Sequence, residues 1–148
     1  MSDLYDTDFM RWTERQTELL RRMAAGEQVN EAPDWLNLAD EIESAGAREK
    51  REVRSRLRRI CHHLLRWRYQ PEDRSPRRRD SIYAERQALL QLFLDSPSLR
   101  PFAENVLPSA FTNGRQDAEQ ETGALGIYDA CPWSFDQVIS QDFLPDGP

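Results

Sequence analysis

Cys61, His62 and His63 are consecutive in a chain of 148 residues, and thiolate and imidazole are side chains that hold zinc, iron or manganese. Neighbouring residues on a helix diverge by about 100°, so three consecutive ligands cannot converge on one ion without unwinding. His63 could instead join Glu41 or Glu43 from another helix, as in carboxylate-bridged bundles that act as metal-dependent hydrolases or oxidases. Those bundles use Glu-x-x-His motifs, and neither histidine has a glutamate three residues before it. No metal ligand is therefore assigned. His63, at the edge of an apolar stripe, is expected to be a hydrogen-bonded boundary residue, and His62 to be solvated.

Cys131-Pro132-Trp133 precedes Ser134, a candidate helix start, and a helix N-terminus lowers a thiol pKa. Without a CxxC partner, packing as a small hydrophobe is the plainer expectation. Asp40, Glu41 and Glu43 could do acid–base chemistry only if burial moved a pKa. Glu41, beside Ile42, is expected either to pair with an arginine or to be solvated. Two histidines and no nucleophile elbow argue against a catalytic triad. The six glycines form neither GxGxxG nor GxxxxGK[ST]. No catalytic residue and no cofactor is assigned.

Arginine offers the strongest candidate. From Arg48 to Arg79 there are 13 Arg plus Lys against four Asp plus Glu, in a protein of net charge −6. Nineteen of the 20 basic residues are arginine, which favours bidentate pairing with carboxylate or phosphate. Arg74, Arg77, Arg78 and Arg79 straddle a helix start near Trp67 and Tyr69, and these six form a candidate interaction patch. Basic groups interleaved with aromatics can hold phosphates and stack bases. A sequence pI near 5.0 repels nucleic acid elsewhere, and cations at a helix N-terminus oppose its dipole, which implies carboxylate partners for Arg77 to Arg79.

Helices must position these groups. Phe9, Trp12, Gln16, Leu19, Leu20 and Met23 share one stripe, predicting a helix from about Thr7 to Ala25, stopped by Gly26. Asp34 reads as the N-cap of a helix to about Ala45, with Leu38 and Ile42 inward and Gly46 a kink or a tolerated defect in one longer helix. From Ala47 to Trp67, Val53, Leu57, Ile60, Cys61 and Leu64 span an arc of about 100° opposite an arginine face with His62 at its centre. Pro71 ends this segment. Ser75-Pro76 and Ser96-Pro97 each read as a cap followed by proline at the first helical position. The first helix would carry Ile82, Leu89, Leu90 and Phe93, and the second Leu99, Phe102 and Val106, with Pro108 expected to kink or divide it. A helical stretch then ends at Gly123, and Ser134 with Gln137 predicts a capping box.

Leu4-Tyr5, Asp8-Phe9 and Trp12, the run Leu38-Ala39-Asp40-Glu41-Ile42-Glu43-Ser44-Ala45-Gly46, and His63-Leu64-Leu65-Arg66-Trp67 together resemble a bacterial family known as domain of unknown function 29. The resemblance continues through Tyr69-Gln70-Pro71, Asp95-Ser96-Pro97-Ser98-Leu99, Glu121-Thr122-Gly123 and Cys131-Pro132-Trp133, nearly the whole chain. It implies an all-helical fold and a bacterial origin, with no activity to carry over. Where the resemblance leads one to expect a tryptophan ahead of Ile82, this chain has Arg78; Pro108 is a second departure.

The sequence thus predicts one all-α domain over residues 1–148, a helical bundle of about five to seven helices with an up-down core and a tail frayed from 145. It has neither a secretory leader pattern nor a run of the roughly 20 apolar residues that spans a membrane. Two thiols make no disulfide framework and suit the cytoplasm. The function read from this is a non-enzymatic interaction module, a homo-oligomer or binder of an acidic protein. The alternative is a nucleic-acid accessory protein using Arg74 to Arg79, and the third reading a metal-dependent enzyme centred on His63.

Overall fold

The structure, a computed structural model, describes residues 3–123 and 126–145. All regular structure among them is helical: α1 (Asp3–Thr7), α2 (Phe9–Ala24), α3 (Trp35–Tyr69), a 3-10 turn (Pro71–Asp73), α4 (Pro76–Asp95), α5 (Leu99–Thr122) and α6 (Phe135–Ile139). The all-α bundle expected from periodicity is thus present. The chain forms two compact units divided between Arg48 and Glu49, and α3 contributes to both.

In the first unit, the helix expected from about Thr7 to Ala25 is present as α2, Phe9–Ala24, and Asp8 separates it from the short α1. The extended backbone of Asp8 (φ −152°) starts α2, and its carboxylate accepts from the Arg11 N–H at 3.1 Å. Gly26, at φ +84°, ends α2 as expected: its N–H reaches the Met23 carbonyl while that of Glu27 reaches Arg22. Trp12, Gln16 and Leu19 are the buried residues of α2. Trp12 packs edge-on to Tyr5 and stacks with Phe9, and its indole N–H donates to Asp34 Oδ2 at 3.0 Å. Gln16 Oε1 accepts from the Asp34 N–H at 2.8 Å. Phe9, Leu20 and Met23, on the same stripe, stay exposed.

α3 runs without interruption through Gly46, so the two segments on either side of it are one longer helix. Helical propensity carries the backbone through an isolated glycine at a cost of about 1 kcal/mol. Ile42, expected inward, is 74 % exposed: in these first turns of α3 only Asn37, Leu38, Glu41 and Ala47 are even half-buried.

In the second unit, α3, α4 and α5 run up, down and up. Arg56 and Arg59 meet Glu85, while Arg78 meets His63, so α4 is antiparallel to α3. Arg58 meets Asp117 and Arg66 meets Glu121, so α5 is parallel to α3. Val53, Leu57, Ile60, Cys61, Leu64 and Leu65 are fully buried, as the amphipathic pattern requires. They pack with Ile82, Leu89 and Phe93 of α4 and with Leu99, Ala103, Leu107, Phe111 and Ala118 of α5. Phe102 and Val106, expected to lead the α5 stripe, only flank this core.

Gly114 is where α5 approaches α3 most closely: a Cβ there would lie 2.7 Å from the Arg58 carbonyl and 3.0 Å from Cys61 Cβ. Of the two outcomes expected at Pro108, a kink or a division, the division does not occur: α5 runs on through it. Pro108 sits on the exposed side, where water can serve the carbonyl that its missing N–H leaves unpaired. Ser96 does not cap α5 either. Its carbonyl accepts from Leu99, turning the chain through Pro97 and Ser98, and the helix begins at Leu99. Ser75 and Ser134 do cap α4 and α6, the latter through the full box with Gln137. Of the tail expected to fray, Pro145 is buried and residues 146–148 lie outside the described ones.

Candidate functional site

Five of the 13 basic residues of the block, Arg56, Arg58, Arg59, Arg66 and Arg78, answer the chain's own acids among the described residues. Arg58 holds Asp117 through two bonds of 2.6 and 2.7 Å, keeping that carboxyl below the usual carboxylate range. Arg56 pairs with Glu52 and Glu85, and Arg66 with Asp73, Glu121 and Gln70. Those that join helices distant in sequence, Arg56 with Glu85, Arg58 with Asp117 and Arg66 with Glu121, tie α3 to α4 and α5, and as partly exposed pairs each adds little stability.

The six patch residues divide in two. Trp67 is 7 % exposed, with the guanidinium groups of Arg74 and Arg79 at 5.6 and 5.4 Å from its ring centroid, so no base could stack on it without displacing them. Arg74 also donates to the Trp67 carbonyl at 2.7 Å. Tyr69 is half-buried against Tyr128, and burial together with the Tyr128 hydroxyl pushes its phenol up. Arg78 donates to His63 Nδ1 at 2.8 Å and lies 3.6 Å from Asp73. Its Nε and the Arg74 Nη2 are buried without a partner. Of the cations expected to find carboxylates at the start of α4, Arg78 alone has one; Arg77 is exposed and, among the described residues, has no ion-pair partner.

His63 is the hydrogen-bonded boundary residue expected. Burial, then His62 and Arg78, pull its pKa down to about 4, and a guanidinium at its ring nitrogen is a poor neighbour for a metal cation. His62 is not solvated: its side chain is 14 % exposed and lies 3.1 Å from Glu121. No group of three or more His, Cys, Asp and Glu able to hold a metal occurs among the described residues. Glu41 has neither of the outcomes expected, an arginine partner or simple solvation. It accepts from the Tyr5 hydroxyl at 2.6 Å, which lifts that phenol to about 12. Cys131 packs beside the core and Cys61 lies within it, and burial raises both thiols, so neither is a ready nucleophile.

Two features escaped sequence reasoning. Arg86 is 1 % exposed and has no carboxylate: it donates to the carbonyls of Val138 (2.8 Å), Phe143 (2.8 Å) and Gln137 (3.1 Å), clamping α6 and the turn after it onto α4. Burial draws its pKa down to about 10. Its signal was the spacing Ile82, Arg86, Leu89, Phe93, an arginine inside an apolar stripe.

The second is the number of large apolar side chains left exposed in the first unit. Phe9, Met10, Leu20, Met23, Trp35, Leu36 and Ile42 are exposed there, against Tyr83, Leu94 and Tyr128 in the second unit. Trp35, Ala39, Ile42 and Gly46 fall at three-and-four spacing on α3 within an arc of about 60°, and all four are exposed. This is a helix stripe of the kind that elsewhere faces a core.

The model of the family described as Domain of unknown function DUF29 matches residues 4–144. The chain belongs to this family. No curated protein and no solved structure matches it. Membership accounts for the resemblance read from the N-terminal aromatics, the α3 run and the Cys131-Pro132-Trp133 segment, and it assigns no chemistry to any of them. No helix among the described residues of this DUF29 protein is long and apolar enough to cross a membrane.

Proposed function

We propose that this DUF29 protein is a non-enzymatic interaction module of the bacterial cytoplasm whose contact surface is the apolar face of its first unit. The observation that supports this is the crowding of seven exposed large hydrophobic residues into Phe9–Ile42. Single exposed hydrophobes are ordinary, but several on one small unit mark a contact surface. Two unpaired thiols agree with a reducing compartment. The test compares wild type with Trp35→Ser/Leu36→Ser/Ile42→Ser in pull-downs from the native cytoplasm and in light scattering across concentrations. A defined partner or dimer should be lost in the variant, whose circular dichroism should stay wild type. If the variant keeps every association, or wild type has none, this reading fails.

The arginines left without a carboxylate partner among the described residues support a second reading, contact with nucleic acid through Arg77 at the start of α4 or through Arg51 and Arg54 elsewhere on α3. Nucleic-acid retention that weakens steeply with salt and falls in Arg51→Ala/Arg54→Ala/Arg77→Ala would favour it. The sheathing of Trp67 by Arg74 and Arg79 favours the first reading, because it removes the stacking platform that a single-stranded ligand uses.

A further inference from the structure

The first unit is as distinct in charge as in exposure. Residues 1–48 hold five arginines against 11 Asp plus Glu, a net charge of −6 that equals the whole protein's, so residues 49–148 are neutral. On α3 the exposed stripe Trp35, Ala39, Ile42, Gly46 is bordered by Glu43, also exposed and about 70° from its centre, while Asp40 lies about 130° round the helix and Glu41 is half-buried against Tyr5. A Cβ at Gly46 would meet nothing within 4 Å. The stripe therefore offers two large side chains, Trp35 and Ile42, separated by small ones, over about three turns.

We infer that the Trp35–Gly46 stripe docks a basic amphipathic helix of a partner protein, its apolar ridge against Trp35 and Ile42 and its Lys or Arg residues beside Glu43, within the negative field of the first unit. The inference rests on the interaction-module reading and gives it a partner class. Shape favours a helix, because ridges at three-and-four spacing seat in the grooves of another helix, and Ala39 and Gly46 allow close approach. Charge selects the sign. A second copy would bring another −6 to the same place, and an anionic membrane surface would likewise be repelled, whereas a basic helix is steered toward it.

The test uses the full chain and a fluorescein-labelled synthetic helix with Leu at i, i+3, i+4 and i+7 and Lys elsewhere, read by anisotropy. Its twin with Glu for Lys is the charge control. Saturable binding of the Lys helix is expected, at least tenfold tighter than of the Glu twin and at least tenfold weaker between 0.05 and 0.5 M salt. Ile42→Glu should weaken it at least tenfold and Glu43→Lys should weaken it too, while Leu94→Glu, at an exposed leucine of the second unit, leaves it unchanged. Equal binding of the twins, or binding insensitive to Ile42→Glu, overturns the inference. A dimer abolished by Ile42→Glu without Lys-helix binding also overturns it, yet leaves the interaction-module reading standing. Failure of both readouts removes that reading too.

Discussion

At Arg86 three backbone carbonyls take the place of the carboxylate that a buried cation usually requires. The planar fork of guanidinium matches them, and an ammonium cannot reach all three. Arg86→Ala should lower stability by about 3 kcal/mol, since it strands carbonyls in the interior, and Arg86→Lys should recover only part. Urea unfolding checks both, with the midpoint falling and the slope little changed. His63 sets a pH dependence. Its folded pKa, about 4, lies below the unfolded value of 6.5, so between them the unfolded chain binds more protons and stability falls as pH drops. The loss should be on the order of 2 kcal/mol from pH 7 to pH 4, and His63→Gln should flatten it. Asp117, held low by Arg58, adds its own loss only at more acidic pH. The arginines of the central block were visible in the sequence as a face of α3, but their partners were not, because Asp117 and Glu121 lie more than 50 residues away.

At the scale of the element, two glycines in helix interiors should respond oppositely to the same substitution. Gly114→Ala drives a methyl against the α3 backbone and should cost about 1–3 kcal/mol. Gly46→Ala, in open space, should stabilise by about 0.5–1 kcal/mol through helix propensity. Thermal or urea unfolding of the two variants beside wild type measures the contrast; matching signs would show that α5 does not press on α3 at Gly114. Local signals placed the caps at Ser75 and Ser134 correctly, because a hydroxyl three residues before a free N–H needs no tertiary help. They misplaced the start of α5, where Ser96-Pro97 has the same composition but its carbonyl is used in a turn.

For the whole molecule, α3 passes through two environments. Among the described residues the first unit buries few apolar side chains, Trp12, Leu19 and Pro33, whereas the second buries most of the core. Residues 35–48 should therefore exchange their amide hydrogens faster than residues 53–67 of the same helix, by a factor of about 100 or more, since opening them exposes so little. Hydrogen exchange read by mass spectrometry checks this, and uniform protection along α3 would contradict it. Capture of a partner at Trp35 and Ile42 should slow exchange in the first segment alone.

What the sequence determined by itself is whatever depends on neighbours within a turn or two: the helical class, the stripe from Val53 to Leu64, the stops at Gly26, Pro71 and Gly123, and the capped starts of α4 and α6. The tertiary structure decided which stripes are covered. Trp35 and Ile42 obey the same spacing as Val53 and Leu57, yet the first pair faces solvent and the second is fully buried. Periodicity states that a face is apolar; only the packing of chain from elsewhere states whether anything lies upon it. The same reason hid Arg86, whose partners lie more than 50 residues away, and it decided which arginines of the block, Arg56, Arg58, Arg59 and Arg66, lie in the seams between helices.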